Sequence, residues 1–479
     1  MAGTRRRQPV LVALALALVA IMATGVGVNI ASADPLARDK DPEPINLGDM
    51  KFPMSRQDAR FIANQLKPVK RHLPKLKAPR PNYPDMYRPR VNADPWLADN
   101  PARAQRYKLG DVMDIRESLY TQIGFPGVRS YQIRYRSTDS RGYPMIASAM
   151  LMIPLLATPN KNVFVWNQPI NGSGADCGVT AALNRPSTGS FDTVMTELVT
   201  PVLQLGYPVL MPDGMGPRNS YAINRMSSHI VLDAMRMVHK QKKFELSQSK
   251  FVVMGISHGG LMTGYAAVEQ GSYAPDLTKY INQFIIHEGA PDLLKLAQQF
   301  GLYGNLQKVP SPYGGFFISF LTGAVREYAD KVPLYTEWMN EWGRANFKIQ
   351  RSTCLPFNLQ LGSGQIIPTY FKDGFFESKT FRTMMQIAKD NSMMYYPGLP
   401  KVPVLLIHGS ADEILYQNKE DEYLYKKWCR AGVNAVYQEI PLGDHFSTVG
   451  LSSPRVVAQV LLSLNDVKQT PMCGGKVII

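Results

Sequence analysis

The sequence is poor in cysteine and histidine and has no internal repeat. Its 479 residues include four cysteines and seven histidines, with no Cys-x-x-Cys pair and no Cys/His cluster at zinc spacing. A structural metal is therefore not expected, and no cofactor is predicted. The lack of a short-period repeat argues against solenoids and propellers. No nucleic-acid reader motif is present, so nucleic acid is not an expected partner.

Acidic residues are fewer than basic ones, and the formal net charge is +15. Part of the excess lies in the segment 67–90, where only Asp85 is acidic. Its basic residues are Lys67, Lys70, Arg71, Lys75, Lys77, Arg80, Arg88 and Arg90. This segment could bind an anionic membrane surface, or it could be a solvated linker interrupted by prolines. Both interpretations stay open from the sequence.

Long apolar runs are also scarce, and the clearest one is N-terminal. Arg5–Arg7 precede the uncharged run Val10–Ile30, and Ala31–Ala33 fits a small-residue cleavage site. Residues 1–33 are therefore predicted to be a signal peptide, and the protein to be secreted or located in the cell envelope or periplasm. An uncleaved anchor is the alternative, because about 20 apolar residues span a bilayer. The next most apolar stretch, Tyr313–Val325, is too short for that.

The predicted export bears on the oxidation state of the cysteines. Cys177, Cys354, Cys429 and Cys473 form an even set in a chain bound for an oxidising compartment, so two disulfides are expected. Four cysteines allow three pairings, and their spacing does not choose among them.

Secondary-structure patterns begin after a proline-rich extension, residues 34–94, which carries one short predicted helix at Arg56–Leu66. A hairpin follows, with strands around Tyr131–Arg136 and Tyr143–Pro154. Short apolar runs then alternate with helical stretches. The predicted strands are Val163–Trp166, Tyr207–Met211, Phe251–Gly255, Phe284–His287, Val402–His408 and Val436–Ile440.

This alternation predicts an α/β fold for residues 95–479, with a mostly parallel sheet covered by helices on both faces. Ser228–His239 is one such helix, with Asp233 predicted on its solvated side. The alternation of predicted strands and helices stops between about 290 and 400, where Phe, Tyr, Met and Trp are frequent. We interpret this segment as an inserted helical cap. Within it, Phe317 either lines a path for an apolar substrate or packs in the cap core.

The strongest local signal is the pattern G-x-S-x-G from Gly255 to Gly259. It follows the apolar strand Phe251–Gly255 and precedes the helical stretch Leu261–Glu269, the context of a nucleophile elbow. Ser257 is the predicted nucleophile. The backbone N–H of His258 can donate to an oxyanion.

A serine nucleophile needs a base and an acid. His445 lies in a loop after the late strand Val436–Ile440, so it is the predicted base. His229 and His239 are expected on a solvated helix face, whereas His287 and His408 end strands and could be satisfied core residues.

Asp412 follows the buried strand Val402–His408 and is the predicted acid, with Glu413 and Asp444 as competitors. The order Ser, Asp, His along the chain is that of α/β-hydrolases. The fold expected for this chain is therefore the α/β-hydrolase fold.

Together these residues resemble the secretory lipases of actinobacteria and fungi. The resemblance runs from about Asp94 to Leu464. Its segments are Gly110–Val112, Tyr135–Asp139, Trp166–Gly172, Tyr207–Gly216, the elbow, Gly409–Asp412, Trp428–Cys429 and Asp444–His445.

The resemblance implies Ser257, Asp412 and His445 as the triad and a helical cap at about 290–400. It also implies a Cys177–Cys354 bridge, which leaves Cys429 to pair with Cys473. The segment Trp166–Gly172 is similar to the family's oxyanion loop, so an N–H of Ile170 or Asn171 is expected to complete the oxyanion hole with His258.

The predicted function is an exported serine ester hydrolase, acting on acylglycerols or related lipid esters through an acyl-enzyme. An aromatic, methionine-rich cap suits a lipid acyl chain. Three alternatives are a prolyl-oligopeptidase-like peptidase, an envelope-lipid acyltransferase and a non-catalytic exported binding protein. Against the peptidase, the chain lacks a propeller of regular short strands.

Overall fold

One ten-stranded sheet organises the chain. The computed structural model describes residues 58–76, 80, 94–184, 199–355, 357–475 and 477–478. The strands are β1 Val112–Glu117, β2 Val128–Thr138, β3 Pro144–Pro154, β4 Val163–Asn167, β5 Val209–Pro212, β6 Phe251–Ile256, β7 Ile281–His287, β8 Val404–Gly409, β9 Ala435–Ile440 and β10 Val477–Ile478. Their order across the sheet is β1-β2-β3-β5-β4-β6-β7-β8-β9-β10. Pairing is antiparallel from β1 to β5 and parallel from β5 to β10.

Helices connect most of the strands. They are α1 Ala59–Gln65, α2 Pro101–Ala104, α3 Leu119–Gly124, α4 Val179–Ala182, α5 Thr200–Gln204, α6 Asn224–Lys240, α7 His258–Tyr273, α8 Leu293–Gln299, α9 Gly314–Glu327, α10 Glu341–Gln350, α11 Phe357–Gly362, α12 Lys379–Asp390, α13 Asn418–Arg430 and α14 Ser447–Leu464. Among the described residues, no helix is both long and apolar enough to cross a bilayer.

The sheet separates two apolar layers. In β6, Phe251 and Val253 point into one buried cluster, whereas Val252, Met254 and Ile256 point into the other. Successive side chains of a strand face opposite sides, so a strand covered on both faces must be apolar throughout. Helices α6 and α7 pack in the first cluster, and α5 and α14 pack in the second. The predicted sheet with helices on both faces is confirmed.

Two polar residues of α6 were assigned to solvent by the sequence pattern, and this was wrong. Asp233 is fully buried and accepts hydrogen bonds from Ser137 Oγ and Tyr273 Oη. His229 is also buried, and its Nδ1 lies 3.0 Å from the Thr138 carbonyl oxygen. The end of β2 covers this side of α6, so Asp233 and the Nδ1 of His229 have protein partners in place of water.

The predicted helical segment at 290–400 lies between β7 and β8 and contains α8 to α12. It is attached to the loop that follows β4. Gly172 forms an antiparallel bridge with Cys354, and the N–H of Leu355 donates to the Asn171 carbonyl at 3.1 Å. Ser173 Oγ donates to Ser319 Oγ of α9 at 3.1 Å. The helical segment therefore contacts the predicted oxyanion loop directly.

Part of the N-terminal extension packs against the helical segment. Ala59, Ile62 and Ala63 of α1 are buried in the first cluster, and Lys389 Nζ of α12 donates to the Ala63 carbonyl at 2.7 Å. The predicted helix Arg56–Leu66 is thus realised as α1 within the described residues. The predicted signal peptide, residues 1–33, lies outside them.

Arg80, one of the basic residues of segment 67–90, is engaged inside the protein. Its guanidinium forms ion pairs of 3.0 Å with Asp139 and 2.9 Å with Glu327, and Arg218 contacts the same Glu327 at 2.7 Å. All four side chains are at most 5% exposed. Arg80 is therefore a structural residue that ties the extension to the hairpin and to α9.

Two disulfides are present: Cys177–Cys354, with a sequence separation of 177, and Cys429–Cys473, with a separation of 44. The first joins the loop after β4 to the helical segment, and the second joins α13 to the C-terminal segment.

Removing the longer disulfide is expected to destabilise the protein strongly. A disulfide that closes a loop of 177 residues lowers the entropy of the unfolded chain. In the loop-entropy model this adds about 5 kcal/mol to the free energy of unfolding. We predict that Cys177→Ser/Cys354→Ser lowers the free energy of unfolding by about that amount in urea titrations. The matched Cys429→Ser/Cys473→Ser variant closes a shorter loop and should lose less. Peptide mapping without reductant that finds Cys177 bound to Cys429 would contradict the pairing.

Candidate active site

The elbow places Ser257 at the carboxyl end of β6 and the start of α7. Its backbone has φ 58°, which a non-glycine residue rarely adopts, and its N–H donates to the His287 carbonyl at 3.0 Å. A Cβ on Gly259 would lie 1.9 Å from the Asn167 carbonyl oxygen, and one on Gly255 would lie 2.1 Å from the Gly259 oxygen. Both glycines of the motif are therefore needed for the chain to turn this tightly.

A hydrogen-bonded series runs from this serine through His445 to Asp412. Ser257 Oγ lies 3.0 Å from His445 Nε2, and His445 Nδ1 lies 2.8 Å from Asp412 Oδ2. The other Asp412 oxygen accepts the backbone N–H groups of Ile414 at 2.9 Å and Leu415 at 2.7 Å. The three residues that the sequence singled out thus meet at one place, with 9% or less of each exposed.

The competitors for the acid position point elsewhere. Asp444 Oδ1 accepts the backbone N–H groups of Phe446 and Ser447 at 2.9 and 2.8 Å. Glu413 accepts the backbone N–H of His445 at 3.1 Å; its charge helps to raise the pKa of the ring, but within the described residues it forms no ion pair with a ring nitrogen.

Charge distinguishes the acid from the base. Burial alone would raise the pKa of Asp412, but His445 and His408 outweigh it, so the pKa of Asp412 falls well below its usual value. For His445, burial acts to lower the pKa, and the carboxylates of Asp412 and Glu288 raise it above the ordinary 6.5, to about 9. Asp412 is therefore ionised throughout the neutral range and stabilises a protonated His445.

The loop that carries two of the predicted oxyanion donors packs against the start of the helix that follows the serine. His258 begins α7, and the close approach of Gly259 to the Asn167 and Gln168 carbonyls brings the loop after β4 against that helix end. The backbone N–H groups of Ile170, Asn171 and His258 have no hydrogen-bond partner in the described part of the chain. All three residues are less than 9% exposed. Unpaired buried N–H groups are rare in proteins, and at a helix start they suit a developing negative charge.

The side chain of His258 points away from the serine. Its Nε2 accepts the backbone N–H of Ala222 at 3.3 Å, and its ring packs against Tyr221 with centroids 4.7 Å apart. Burial lowers the pKa of His258 to about 3, so the ring is neutral. Only its backbone is available to the site.

The other strand-ending histidines are core residues, as the sequence allowed; both ring nitrogens of His408 are paired, whereas Nδ1 of His287 has no hydrogen-bond partner within the described residues. His287 Nε2 lies 2.8 Å from Ser452 Oγ, and His408 Nδ1 lies 2.6 Å from Asp421 Oδ2. His408 also approaches Asp412, with Nε2 3.3 Å from Oδ2.

Sequence reasoning missed one acidic residue of the site. Glu288 follows β7 directly and is fully buried, and its Oε2 lies 3.6 Å from His445 Nδ1. One carboxylate oxygen of Glu288, one of Asp412 and a ring nitrogen of His445 all lie within 4.8 Å of one another. The signal was available, because Glu288 follows β7 as Asp412 follows β8, the next strand of the sheet.

Solved structures share this architecture. The chain aligns with Candida antarctica lipase A at a TM-score of 0.71 and 19% identity, covering 83% of this chain and 90% of that one. It aligns with the rice cell wall degrading esterase LipA of Xanthomonas oryzae at a TM-score of 0.56 and 16% identity, covering 76% and 100%. With the elbow and the sheet order, these matches define the class: the protein has the α/β-hydrolase fold.

Sequence comparison identifies the family. The family model for secretory lipases matches residues 184–465. Lipase 2 of Candida albicans is 27% identical over 416 residues, covering 82% of this chain and 85% of that protein. A secreted triacylglycerol lipase of Malassezia globosa is 28% identical over 341 residues, covering 68% of each. The chain belongs to the secretory lipase family, and the prediction of a serine ester hydrolase of the lipase class is confirmed.

Proposed function

We propose that this lipase is exported and hydrolyses acylglycerols or related lipid esters, with Ser257 as nucleophile, His445 as base and Asp412 as acid. The observation that most supports these roles is the series of two hydrogen bonds, 3.0 and 2.8 Å long, from Ser257 Oγ to Asp412. A serine hydroxyl is a weak nucleophile until an adjacent base accepts its proton. In this arrangement the base is in contact with the hydroxyl and is oriented by a buried carboxylate.

The reaction proceeds in two halves. Ser257 Oγ attacks the ester carbonyl carbon while His445 Nε2 accepts the hydroxyl proton, and His445 then returns that proton to the departing alcohol. Water attacks the acyl-enzyme by the same route and releases the acid. Asp412 accepts the Nδ1–H of His445 throughout, which fixes the tautomer. The N–H groups of His258 and of the Ile170–Asn171 loop stabilise the oxyanion in each half.

The substrate class follows from the helical segment at 290–400, which we propose is a cap over Ser257. Burial, and then the carboxylates of Glu413, Asp412 and Asp444, raise the pKa of Tyr313 to about 12, so this phenol faces the acid loop. Phe316 stacks on Tyr313 with ring centroids 6.4 Å apart. Aromatic rings on the side of the cap that faces the acid loop favour an apolar acyl chain over a polar substrate.

The direct test measures hydrolysis of p-nitrophenyl esters from acetate to palmitate, with and without a lipid emulsion. We expect kcat/KM to increase with acyl length. A flat or falling series would point to a short-chain esterase, and faster transfer to an added alcohol than to water would favour an acyltransferase.

Phe317 and Phe316 are predicted to differ in effect. Phe317 is 1% exposed and belongs to the main core cluster, so burial favours packing over a substrate contact. Phe317→Ala should lower the free energy of unfolding by about 3–5 kcal/mol without changing the preferred acyl length. Phe316 is also buried in that cluster, at 6% exposed, but it stacks on Tyr313, so the matched Phe316→Ala variant should change the preferred length. Thermal unfolding measures the loss of stability, and the ester series measures the acyl-length preference. A changed acyl preference in the Phe317 variant would contradict its assignment to core packing.

The pH profile should be displaced to the alkaline side. His445 acts as a base only when neutral, and its pKa is raised above 6.5, to about 9. Since the protonated form is inactive, kcat/KM should rise with pH through this pKa and reach half its maximum above pH 6.5. A pH–rate curve on a soluble ester measures it. An acid limb centred below pH 6 would contradict the charge arrangement.

We further propose that residues 1–33 direct export and that the basic segment binds anionic lipid surfaces. Arg80 is engaged in ion pairs, but Lys67, Lys70, Arg71 and Lys75 are exposed. Each basic side chain near such a surface contributes about 1 kcal/mol. Sedimentation with phosphatidylglycerol vesicles, but not phosphatidylcholine vesicles, should show salt-sensitive binding that Lys67→Glu/Lys70→Glu/Lys75→Glu removes. N-terminal sequencing of the exported protein tests cleavage after Ala33.

A further inference from the structure

A second buried carboxyl group faces the histidine of the site. β7 ends at His287, and Glu288 follows with φ 49°, its N–H donating to the Ile407 carbonyl at 2.8 Å. β7 and β8 are adjacent and parallel, so the residues that follow them leave the sheet at the same edge. Glu288 and Asp412 therefore approach His445 from neighbouring strands.

The carboxyl of Glu288 is shielded from solvent and has weak polar support, because the Thr448 hydroxyl faces it and acts to lower its pKa but lies outside good hydrogen-bond geometry. The residue is fully buried, and both carboxyl oxygens lack a hydrogen-bond partner within the described residues. Oε2 lies 3.6 Å from His445 Nδ1, the same atom that Asp412 Oδ2 contacts at 2.8 Å. A buried carboxyl without partners is costly, and a left-handed backbone at a non-glycine residue adds to that cost. Both features are frequent at functional sites.

We propose that Glu288 is a second positioning acid for His445, which accepts the Nδ1–H when Asp412 cannot. The inference rests on the proposed catalytic role of the Ser257–His445 pair. Glu288 would need to approach the ring by the difference of 0.8 Å between the two distances. Asp412 has priority in the native protein, because two backbone N–H groups and His408 stabilise its charge.

The groups around Glu288 explain why the two acids do not compete. The side chains that face it are His445, Asp412, His408, His287 and the Thr448 hydroxyl. Burial, opposed by His445 and reinforced by the Asp412 charge, raises the pKa of Glu288 to about 8. At neutral pH Glu288 is therefore mostly protonated while Asp412 is ionised. An amide at position 412 removes the repelling charge, so Glu288 then ionises at lower pH and can accept the imidazole proton.

A double-mutant cycle tests whether Glu288 can replace Asp412 in orienting His445. Loss of a triad acid normally lowers kcat by about 10⁴. With Glu288 present, Asp412→Asn should lose only about 10², and Asp412→Asn/Glu288→Gln should lose the full factor of about 10⁴. Glu288→Gln alone should lose less than about tenfold, since Asp412 still orients His445. The KM should stay similar across the set, because neither carboxyl touches substrate.

The pH profile separates positioning from a structural role. In Asp412→Asn, kcat/KM should show a rise with pH from Glu288 ionisation in addition to the rise from His445 deprotonation, and the double variant should keep only the His445 rise. Glu413→Gln is the matched control: within the described residues its carboxylate accepts the His445 backbone N–H and pairs with no ring nitrogen, so adding this change to Asp412→Asn should not deepen the loss. Melting temperatures of all variants check that the fold is retained.

The outcomes are separable from the proposed function. A loss of about 10⁴ in Asp412→Asn alone, with no further loss from Glu288→Gln, would overturn the role of Glu288 and leave the triad intact. A deeper loss with Glu413→Gln than with Glu288→Gln would assign the second acid to Glu413. Failure of the triad itself would show as hydrolysis that survives Ser257→Ala.

Discussion

Ser257→Ala is expected to lower kcat for ester hydrolysis by about 10⁶ while the protein stays folded. The hydroxyl is the proposed nucleophile, and its removal leaves His445 with no proton to accept. Alanine has the same backbone restrictions as serine, so the φ of 58° at this position is neither relieved nor worsened. Initial rates on a p-nitrophenyl ester and a thermal melt give both quantities.

A control serine lies on the same helix. Ser272 is 15 residues further along α7, about 22 Å from the elbow, and its Oγ donates to the Glu269 carbonyl at 2.9 Å. Ser272→Ala should keep its activity within a few-fold. The Ser257 variant should still retain some rate above water, because the oxyanion donors are backbone groups that the substitution does not touch. Hydrolysis at the native rate would mean that another residue is the nucleophile.

The sheet could be predicted because its signal is local and strong. Runs of apolar residues bounded by turns identify strands that are buried on both faces. The errors fall at the ends. Tyr207–Met211 and Val402–His408 were predicted to start before Pro208 and Pro403, whereas β5 and β8 begin just after these prolines, at Val209 and Val404. Proline has no N–H to donate to a neighbouring strand, so the ladder starts beyond it.

Polar residues inside elements account for other differences. β7 begins at Ile281 and not at the predicted Phe284, because the polar Gln283 is buried in it and accepts a hydrogen bond from Ser463 Oγ at 2.6 Å. Helix α6 begins at Asn224, four residues before the predicted start, without a side-chain cap. The hydrogen-bond partners of such buried polar residues lie in distant segments of the chain, so the periodicity of apolar residues does not predict them.

The candidate site shows the same division. Ser257, Asp412 and His445 each stand in a recognisable local context, and chain order assigned their roles. Glu288 has the local context of an acid, a carboxyl after a buried strand, but its relation to His445 depends on which strands are adjacent. The sheet order places β7 between β6 and β8, next to the serine and the acid. That neighbourhood is a property of topology and cannot be derived from spacing along the chain.

His445→Ala is expected to be as damaging as Ser257→Ala, about 10⁶ in kcat, and the two effects should not add. Each residue is useful only with the other, because the imidazole activates one hydroxyl, at 3.0 Å, and that hydroxyl is inert without it. The Ser257→Ala/His445→Ala variant should therefore hydrolyse no more slowly than either single variant. Single-turnover measurements at high enzyme concentration resolve rates this low.

A histidine outside the site provides the control for this experiment. His72 is exposed on the N-terminal extension, and His72→Ala should leave kcat unchanged. A double variant slower than both single variants by a further large factor would mean that Ser257 and His445 act independently. That result would contradict a shared acyl-transfer step. If hydrolysis were undetectable in the native protein as well, the exported binding protein would be favoured, and the hydrogen-bonded series would be a structural remnant of an ancestral site.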